Sequence, residues 1–268
     1  MNVAVITGAS MGIGEEFARQ LAARRLDLVL VARSEDKLRA LAGELERRHS
    51  IRAHAFPCDL SEPAAAERVA TYLTEEGLHP GWLVNNAGFG LIGTLDSMEL
   101  VRLRQMMMLN MVSLVELTHL LLPQLRLGRD SRIINVASTA AFQPVPFFNV
   151  YAASKTFVLN FSEALHEELR GTDVRVLALC PGPTPTNFGE TSGMDPRLFQ
   201  RGQSAASVVR MGLRASDAGR AVLVTQRLLP IFLMRFLPRF AVRMAAGYVA
   251  RMMMKKMDRP DRATPPKA

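Results

Sequence analysis

The stretch Asn2-Val-Ala-Val-Ile-Thr7-Gly8-Ala-Ser-Met-Gly12-Ile-Gly14 decides the fold of this chain. Its apolar run, Val3 to Ile6, is typical of a short strand that is buried on both faces. The glycines that follow allow a tight turn and let a ligand approach the backbone closely. A helical apolar pattern begins directly after Gly14, and the free N–H groups at the start of a helix attract a pyrophosphate. We therefore predict a strand, turn and helix that bind a dinucleotide, with an ordinary glycine-rich turn as the alternative.

The residue after the second predicted strand, Asp27 to Ala32, bears on the choice of dinucleotide. An acidic residue at this point would bond the adenosine ribose hydroxyls and indicate NAD, whereas an arginine can pair with a 2′-phosphate. The chain has Arg33 here, followed by Ser34. We therefore predict NADP(H) as the cofactor. The alternative is that Arg33 is a solvated residue at the start of a helix.

Strand-like and helical segments alternate through the first 226 residues. Further strands are predicted at 53–56, 82–84, 132–137, 174–179 and 221–225. This alternation predicts an α/β fold, a doubly wound parallel sheet of seven strands that binds ligands at the carboxyl ends of the strands. Asp59 follows the third strand, so we expect it either to bond an adenine amino group or to cap the next helix together with Ser61.

Tyr151 and Lys155 stand one turn apart on the same face of a predicted helix. A phenol has a pKa of about 10, and a neighbouring ammonium favours the phenolate and lowers that pKa. The pair could therefore transfer a proton near neutral pH, although the same spacing also occurs in surface contacts. Asn110 lies in an apolar run of a helix predicted over 97–127. Its buried amide needs hydrogen-bond partners.

Six motifs occur in the order that is typical of one enzyme family. They are Thr7-Gly8-x3-Gly12-x-Gly14, Asn85-Asn86-Ala87-Gly88, Asn110, Ser138, Tyr151-x3-Lys155 and Pro181-Gly182. In these motifs, residues 1–226 resemble a classical short-chain dehydrogenase/reductase. The resemblance implies a Rossmann-type sheet with strand order 3-2-1-4-5-6-7. It also implies an enzyme that transfers hydride between a nicotinamide cofactor and a carbonyl compound or alcohol.

The same resemblance implies a role for each matching residue. Tyr151 would be the general acid in carbonyl reduction, and Ser138 would bond the substrate oxygen. Lys155 would bond the nicotinamide ribose and lower the Tyr151 pKa. Asn110 would hold a water in a proton relay, and Thr186 would contact the nicotinamide carboxamide. The expected cofactor contacts are Gly8, Ser10, Gly12, Ile13, Gly14, Arg33, Asp59, Leu60, Asn86, Ala87, Gly88, Tyr151, Lys155, Pro181, Gly182, Thr184 and Thr186.

The loops after the strands contain mainly apolar residues, which we expect to rim the substrate site. They are Phe89, Leu91, Phe142, Val145, Pro146, Phe147, Phe148, Phe188, Met194, Leu198 and Phe199. Such a rim favours a hydrophobic ketone or aldehyde of the fatty-acyl, steroid or aromatic type, although these residues could also simply pack beneath a lid. Residues 187–206 contain three glycines and are predicted to form a mobile substrate lid.

The positive charge of the chain lies in its C-terminal part. The net charge is +8, and residues 218–257 contain eight Lys or Arg residues and no Asp or Glu. This distribution argues against nucleic acid as a partner of the domain. Residues 227–257 are predicted to form a basic, apolar helical tail, which could bind an anionic membrane surface, cover the domain or lie in a subunit interface. Residues 258–268 are Pro-rich and charged and are predicted to be disordered.

Composition and spacing favour no other class of function. Cys58 and Cys180 lie far apart, and no Cys/His group has metal-ligand spacing, so neither a disulfide framework nor a metal site is predicted. The N-terminus has no secretory pattern, so we expect a cytoplasmic protein, with peripheral membrane association through the tail as a possibility. We predict a homo-oligomeric NADP-dependent reductase. The alternative is a catalytically idle NADP-binding protein that acts through its tail.

Overall fold

A computed structural model describes residues 2–194, 199–200, 202–226 and 239–257. Seven parallel strands form one sheet in the order β3-β2-β1-β4-β5-β6-β7, which confirms the predicted Rossmann-type arrangement. The strands are β1 (Asn2–Thr7), β2 (Asp27–Ala32), β3 (Ala53–Pro57), β4 (His79–Asn85), β5 (Ser131–Val136), β6 (Val174–Cys180) and β7 (Val222–Val224). Because the strand order reverses between β1 and β4, a crevice opens at the carboxyl ends of these two strands.

Helices cover both faces of the sheet, so β1 is buried on both sides. Ala4 and Ile6 belong to the apolar cluster on one face, and Val3 and Val5 belong to the cluster on the other. All four side chains are fully buried. Successive side chains of a strand point to opposite faces, so a central strand needs an unbroken apolar run. This requirement explains the sequence of β1. Because β1 pairs with β4 in parallel, the glycine turn lies next to the end of β4.

The helices fall into two layers, with α1 against α8 on one face and α3 against α5 on the other. The helices are α1 (Gly12–Ala23), α2 (Glu35–His49), α3 (Ala65–Glu75), α4 (Leu100–Met107), α5 (Ser113–Leu127), α6 (Asn149–Glu168), α7 (Phe188–Ser192), α8 (Ala205–Asp217) and α9 (Arg239–Met257).

The helix predicted over 97–127 is continuous only from Leu100 to Leu127 and contains one π-helical turn, Met108–Val112, between α4 and α5. By length and composition alone this segment could cross a membrane. However, Leu117, Leu121 and Leu125 are buried in the cluster beneath the sheet. The segment is therefore a core helix of the domain. A π-helical turn widens the backbone locally and frequently marks a functional site.

The described residues cover only part of the predicted lid and tail. Within 187–206 they include α7 and the start of α8, and positions 195–198 and 201 lie outside the description. Within the predicted tail, α9 accounts for 239–257, whereas 227–238 and the predicted disordered end at 258–268 lie outside the described residues. The proposed boundary after residue 226 follows β7 by two positions.

Candidate active site

A cavity of about 530 Å³ lies at the carboxyl ends of the strands, within the size range of ligand sites. All predicted cofactor contacts except Gly14 line it. Of the predicted catalytic residues, Ser138, Tyr151 and Lys155 line it, and Asn110 is buried beside it. The fold therefore gathers into one crevice the residues that the sequence separates into six motifs.

The glycine turn after β1 is shaped for a phosphate group. Gly8 and Gly12 have φ angles of 65° and 61°, in the left-handed region that favours glycine. They leave the backbone accessible at the start of α1, a 12-residue helix whose N-terminus attracts anions. Gly14 has a different task, because a Cβ at this position would collide with the backbone carbonyl of Gly8. It packs α1 against the turn, and this explains its absence from the cavity wall.

Asn86 connects the glycine turn to the end of β4. Its Nδ2 donates a hydrogen bond to the Thr7 carbonyl oxygen at 2.9 Å. In return, the Thr7 hydroxyl oxygen accepts bonds from the backbone N–H groups of Asn86 and Ala87, both at 2.9 Å. These bonds hold together the two loops that meet where the strand order reverses. Asn86 therefore shapes the crevice as well as lining it.

Arg33 lies at the end of the cavity next to β2, with 73% of its side chain exposed. Its Nη1 is 3.8 Å from Asp59 Oδ2. Burial raises the pKa of Asp59, but hydrogen bonds from Ser61 and the charges of Arg33 and Arg68 together hold this pKa below its ordinary value. The carboxylate caps the turn at Ser61 through bonds of 2.9 and 2.7 Å. The expectation that Asp59 caps α3 is wrong, because that helix begins six residues later.

Tyr151 and Lys155 lie on one face of α6, and both are buried. The side chain of Ser138, which follows β5, lines the cavity beside the Tyr151 phenol. Burial raises the pKa of Tyr151 to about 12, and the Ser138 side chain opposes this rise only in part. The predicted lowering of the Tyr151 pKa by Lys155 is wrong, because burial raises this pKa instead. Lys155 Nζ lies 5.8 Å from the centre of the phenol ring, and the loss of hydration dominates.

Lys155 is held by the backbone of β5. Its Nζ donates to the carbonyl oxygen of Val136 at 2.8 Å. Burial lowers the pKa of Lys155 to about 8, and interaction with Cys180 opposes this change. Lys155 therefore gives up its proton more readily than an exposed lysine does.

Asn110 occupies the π-helical turn and is satisfied by protein groups. Its Oδ1 accepts from the Phe89 N–H at 3.1 Å, and its Nδ2 donates to the Phe89 carbonyl and to Ser154 Oγ, both at 3.0 Å. A Cβ on Gly88 would lie 2.9 Å from Asn110 Oδ1 and 3.5 Å from Lys155 Nζ. Asn110 and Lys155 thus flank the same glycine, while the water relay implied by the family stays a prediction.

Aromatic rings surround the Tyr151 phenol. The ring centres of Phe148 and Phe188 lie 4.3 and 5.4 Å from that of Tyr151. The predicted rim residues that line the cavity are Phe89, Phe148, Phe188, Met194 and Phe199. Two further rim residues, Leu91 and Val145, pack on the cluster that contains Tyr151.

Three predicted rim residues of the loop after β5 neither line the cavity nor pack on the cluster that contains Tyr151. Phe142, Pro146 and Phe147 are absent from the lining, and Leu198 lies outside the described residues. Phe142 packs instead against the cluster between α6 and β6. The sequence placed Phe142, Pro146 and Phe147 in the segment after β5 but did not reveal which way their side chains face.

One wall of the cavity was missed by the sequence analysis. Arg102, Gln105 and Leu109 line it from α4 and the π-helical turn. Their i, i+3, i+7 spacing puts them on one helical face, and this spacing was the available signal.

The sequence model of the family "short chain dehydrogenase" matches residues 2–196. The chain therefore belongs to the short-chain dehydrogenase family, a family of oxidoreductases. This confirms the resemblance that the six motifs indicated.

Individual relatives and structures agree with this assignment. Sulfoacetaldehyde reductase 2 of Chromohalobacter salexigens is 36% identical over 189 residues, which cover 70% of this chain and 74% of that protein. Human very-long-chain 3-oxoacyl-CoA reductase is 32% identical over 186 residues, 66% of this chain but only 58% of the relative. The chain thus matches little more than half the length of that reductase. A short-chain dehydrogenase from Sphingobium yanoikuyae, solved in complex with NADPH, superposes with a TM-score of 0.80 at 29% identity and 99% coverage of both chains.

Proposed function

We propose that this protein is an NADP(H)-dependent oxidoreductase that reduces an apolar ketone or aldehyde to the alcohol. The observation that carries the proposal is the buried Tyr151 phenol, which lies among aromatic rings and shares its cavity with Ser138 and Lys155. A carbonyl oxygen that accepts from both hydroxyls would receive its proton at this point.

The glycine turn, Arg33 and the loop after β6 would hold the cofactor, which supplies the hydride when it is bound. The turn fits the pyrophosphate because Gly8 and Gly12 adopt left-handed backbone angles that lead the chain into the start of α1. Arg33 at the end of β2 fits a 2′-phosphate, and no acidic residue occupies that position. The NADPH bound to the similar structure from Sphingobium yanoikuyae supports this choice.

The protonation state of the site favours reduction. With its pKa raised to about 12, Tyr151 is protonated at neutral pH and can donate its proton to a developing alkoxide. Ser138, in the same cavity, would offer a second hydroxyl to the same oxygen. Lys155, fixed on Val136, would bond the nicotinamide ribose and bring a positive charge towards the forming tyrosinate.

The aromatic wall around Tyr151 supports a substrate with apolar groups beside its carbonyl. Two relatives have names that fit such a substrate, the human 3-oxoacyl-CoA reductase and human 17-beta-hydroxysteroid dehydrogenase type 3, which is 36% identical over 181 residues. Because each match covers less than two thirds of the relative, the fatty-acyl and steroid classes are working hypotheses for a substrate screen.

The test is a screen of ketones and aldehydes in which NADPH consumption is followed by absorbance. We expect turnover with at least one apolar carbonyl, and Tyr151→Phe should reduce kcat by about a hundredfold or more because the proton donor is lost. Tyr72→Phe is the control, since Tyr72 on α3 is hydrogen-bonded to His54 on β3 and does not line the cavity. If Tyr151→Phe binds NADPH and turns over at the wild-type rate, the proposed proton donor is wrong.

The second candidate function is a role of the C-terminal helix at an anionic membrane surface. On α9, Phe240, Met244, Tyr248 and Met252 recur every four residues and are each more than half exposed. Arg243 and Arg251 are exposed on the same helix. An apolar stripe beside cations, without acids, is typical of helices that lie on anionic lipid. Packing on a partner subunit is the alternative, and the homo-oligomer stays a prediction.

A further inference from the structure

Helix α4 contributes a positively charged residue to one wall of the cavity. Arg102, Gln105 and Leu109 form that wall, separate from the glycine turn and from Arg33. Leu103, the neighbour of Arg102, packs in the same apolar cluster as Phe148 and Tyr151. Phe89 packs on this cluster too, and the Arg102 guanidinium lies over the Phe89 ring.

The position of the guanidinium is fixed by two contacts. Its Cζ lies 4.8 Å from the centre of the Phe89 ring, and its Nη1 donates to Gln105 Oε1 at 2.9 Å. Phe89 in turn is held by Asn110, and the preceding Gly88 is the residue beside Lys155 Nζ. Through Phe89 the cation is linked to the backbone that borders the catalytic lysine.

Arg102 has no carboxylate partner within 4.0 Å among the residues that the structure describes, whereas Arg33 has Asp59. Gln105 is neutral and uses one of the five donors of the guanidinium. Phe89 shields one face of the cation without neutralising it. A half-buried arginine in a ligand cavity, with no carboxylate partner among the described residues, is suited to a planar or tetrahedral oxyanion.

We propose that Arg102 binds an anionic group of the substrate, so that the preferred substrates are apolar carbonyl compounds that also carry a carboxylate, sulfonate or phosphate. This inference rests on the proposed function, because it assigns the carbonyl to Tyr151 and the anion to Arg102 in the same cavity. The aromatic wall binds the apolar part of the molecule. Arg102 determines specificity and does not take part in the proton transfer.

The experiment compares each member of a homologous series of methyl-ketone carboxylates, beginning with levulinate, with its own methyl ester. We expect the wild-type kcat/KM to be higher for at least one acid than for its ester, and to fall with added salt. In Arg102→Leu the ratio of acid to ester should fall by about tenfold to a hundredfold, mainly through KM, since a charge-assisted hydrogen bond is lost. Arg104→Leu is the matched control, because Arg104 is exposed on the same helix and does not line the cavity.

A binding measurement separates failure of this inference from failure of the proposed reaction. Octanoate should raise the melting temperature of the NADP⁺ complex of the wild type and of Arg104→Leu, but not that of Arg102→Leu. This result would support the anion site even if no ketone in the series were reduced. Three results would each overturn the assignment. The wild-type kcat/KM could be the same for every acid and its ester, the acid-to-ester ratio could fall equally in Arg102→Leu and Arg104→Leu, or Arg102→Leu could bind NADPH more weakly.

Discussion

At the scale of single residues, Tyr151 shows how burial and function are connected. The residue is 7% exposed, so the neutral phenol is favoured and its pKa rises to about 12. A donor that stays protonated at neutral pH suits carbonyl reduction. Oxidation of an alcohol would need the tyrosinate, which the buried site disfavours until a positive charge lies beside it.

Arg33 leads to a prediction about the cofactor. Arg33→Asp should weaken NADPH binding by about a hundredfold or more and NADH binding far less, because an acid repels a 2′-phosphate but can bond a ribose hydroxyl. Fluorescence titration of both cofactors measures the two Kd values. Arg39→Asp is the matched control, since Arg39 is exposed on α2 and pairs with Glu35. Equal losses for NADPH and NADH would reject the phosphate pairing.

At the scale of elements, α4 and α9 differ in which side chains meet solvent. The apolar stripe of α9 is exposed, whereas Arg102 on α4 is half-buried and lines a cavity. The sequence shows the basic, apolar composition of both regions. Only the structure shows which face of α4 meets the cavity.

The stripe on α9 predicts binding to anionic vesicles. Full-length protein should float with vesicles that contain phosphatidylglycerol, and higher salt should reduce this fraction because the lysine and arginine charges are screened. The double variant Met244→Ser/Tyr248→Ser should lose most of the bound fraction. Leu127→Ser, which removes an 87% exposed apolar side chain at the end of α5, should not. Equal flotation of wild type and double variant would leave α9 without a membrane role.

At the scale of the whole molecule, the buried lysine links stability to pH. The pKa of Lys155 is about 8 in the folded protein and 10.5 for an ordinary lysine. Folding therefore favours the neutral amine, and the unfolded chain binds more protons between these two values. Stability contributed by neutral Lys155 is present at high pH and is lost as pH falls through about 8.

We expect the free energy of unfolding of the wild type to rise, relative to Lys155→Met, as pH increases from about 8 to 10. The difference should change by up to about 1.4 kcal/mol per pH unit, because one proton is involved. Urea unfolding of the cofactor-free protein at several pH values measures this change. Lys37→Met is the control, since Lys37 is exposed on α2. If the difference in unfolding free energy stayed constant across this range, the pKa of Lys155 would not be lowered in the folded protein.

Much of the site was predictable because its signals are local in the sequence. The Gly8–Gly14 turn, the Asn86 loop and the Tyr151–Lys155 turn each lie within a few residues, where backbone angles and helical spacing fix the geometry. The loop after β5 was less predictable. Phe148 lines the cavity and Phe142 does not, and both are apolar residues of one short loop.

The sequence by itself determined the order of strands and helices, the glycine turn and the chemical groups available for catalysis. These follow from residue type and spacing along the chain. Only the tertiary structure decided that the Tyr151 pKa rises and that Asn110 is satisfied by Phe89 and Ser154. It alone placed Arg102 in the wall of the cavity. Burial and hydrogen bonding depend on segments far apart in sequence, so local spacing carries no information about them.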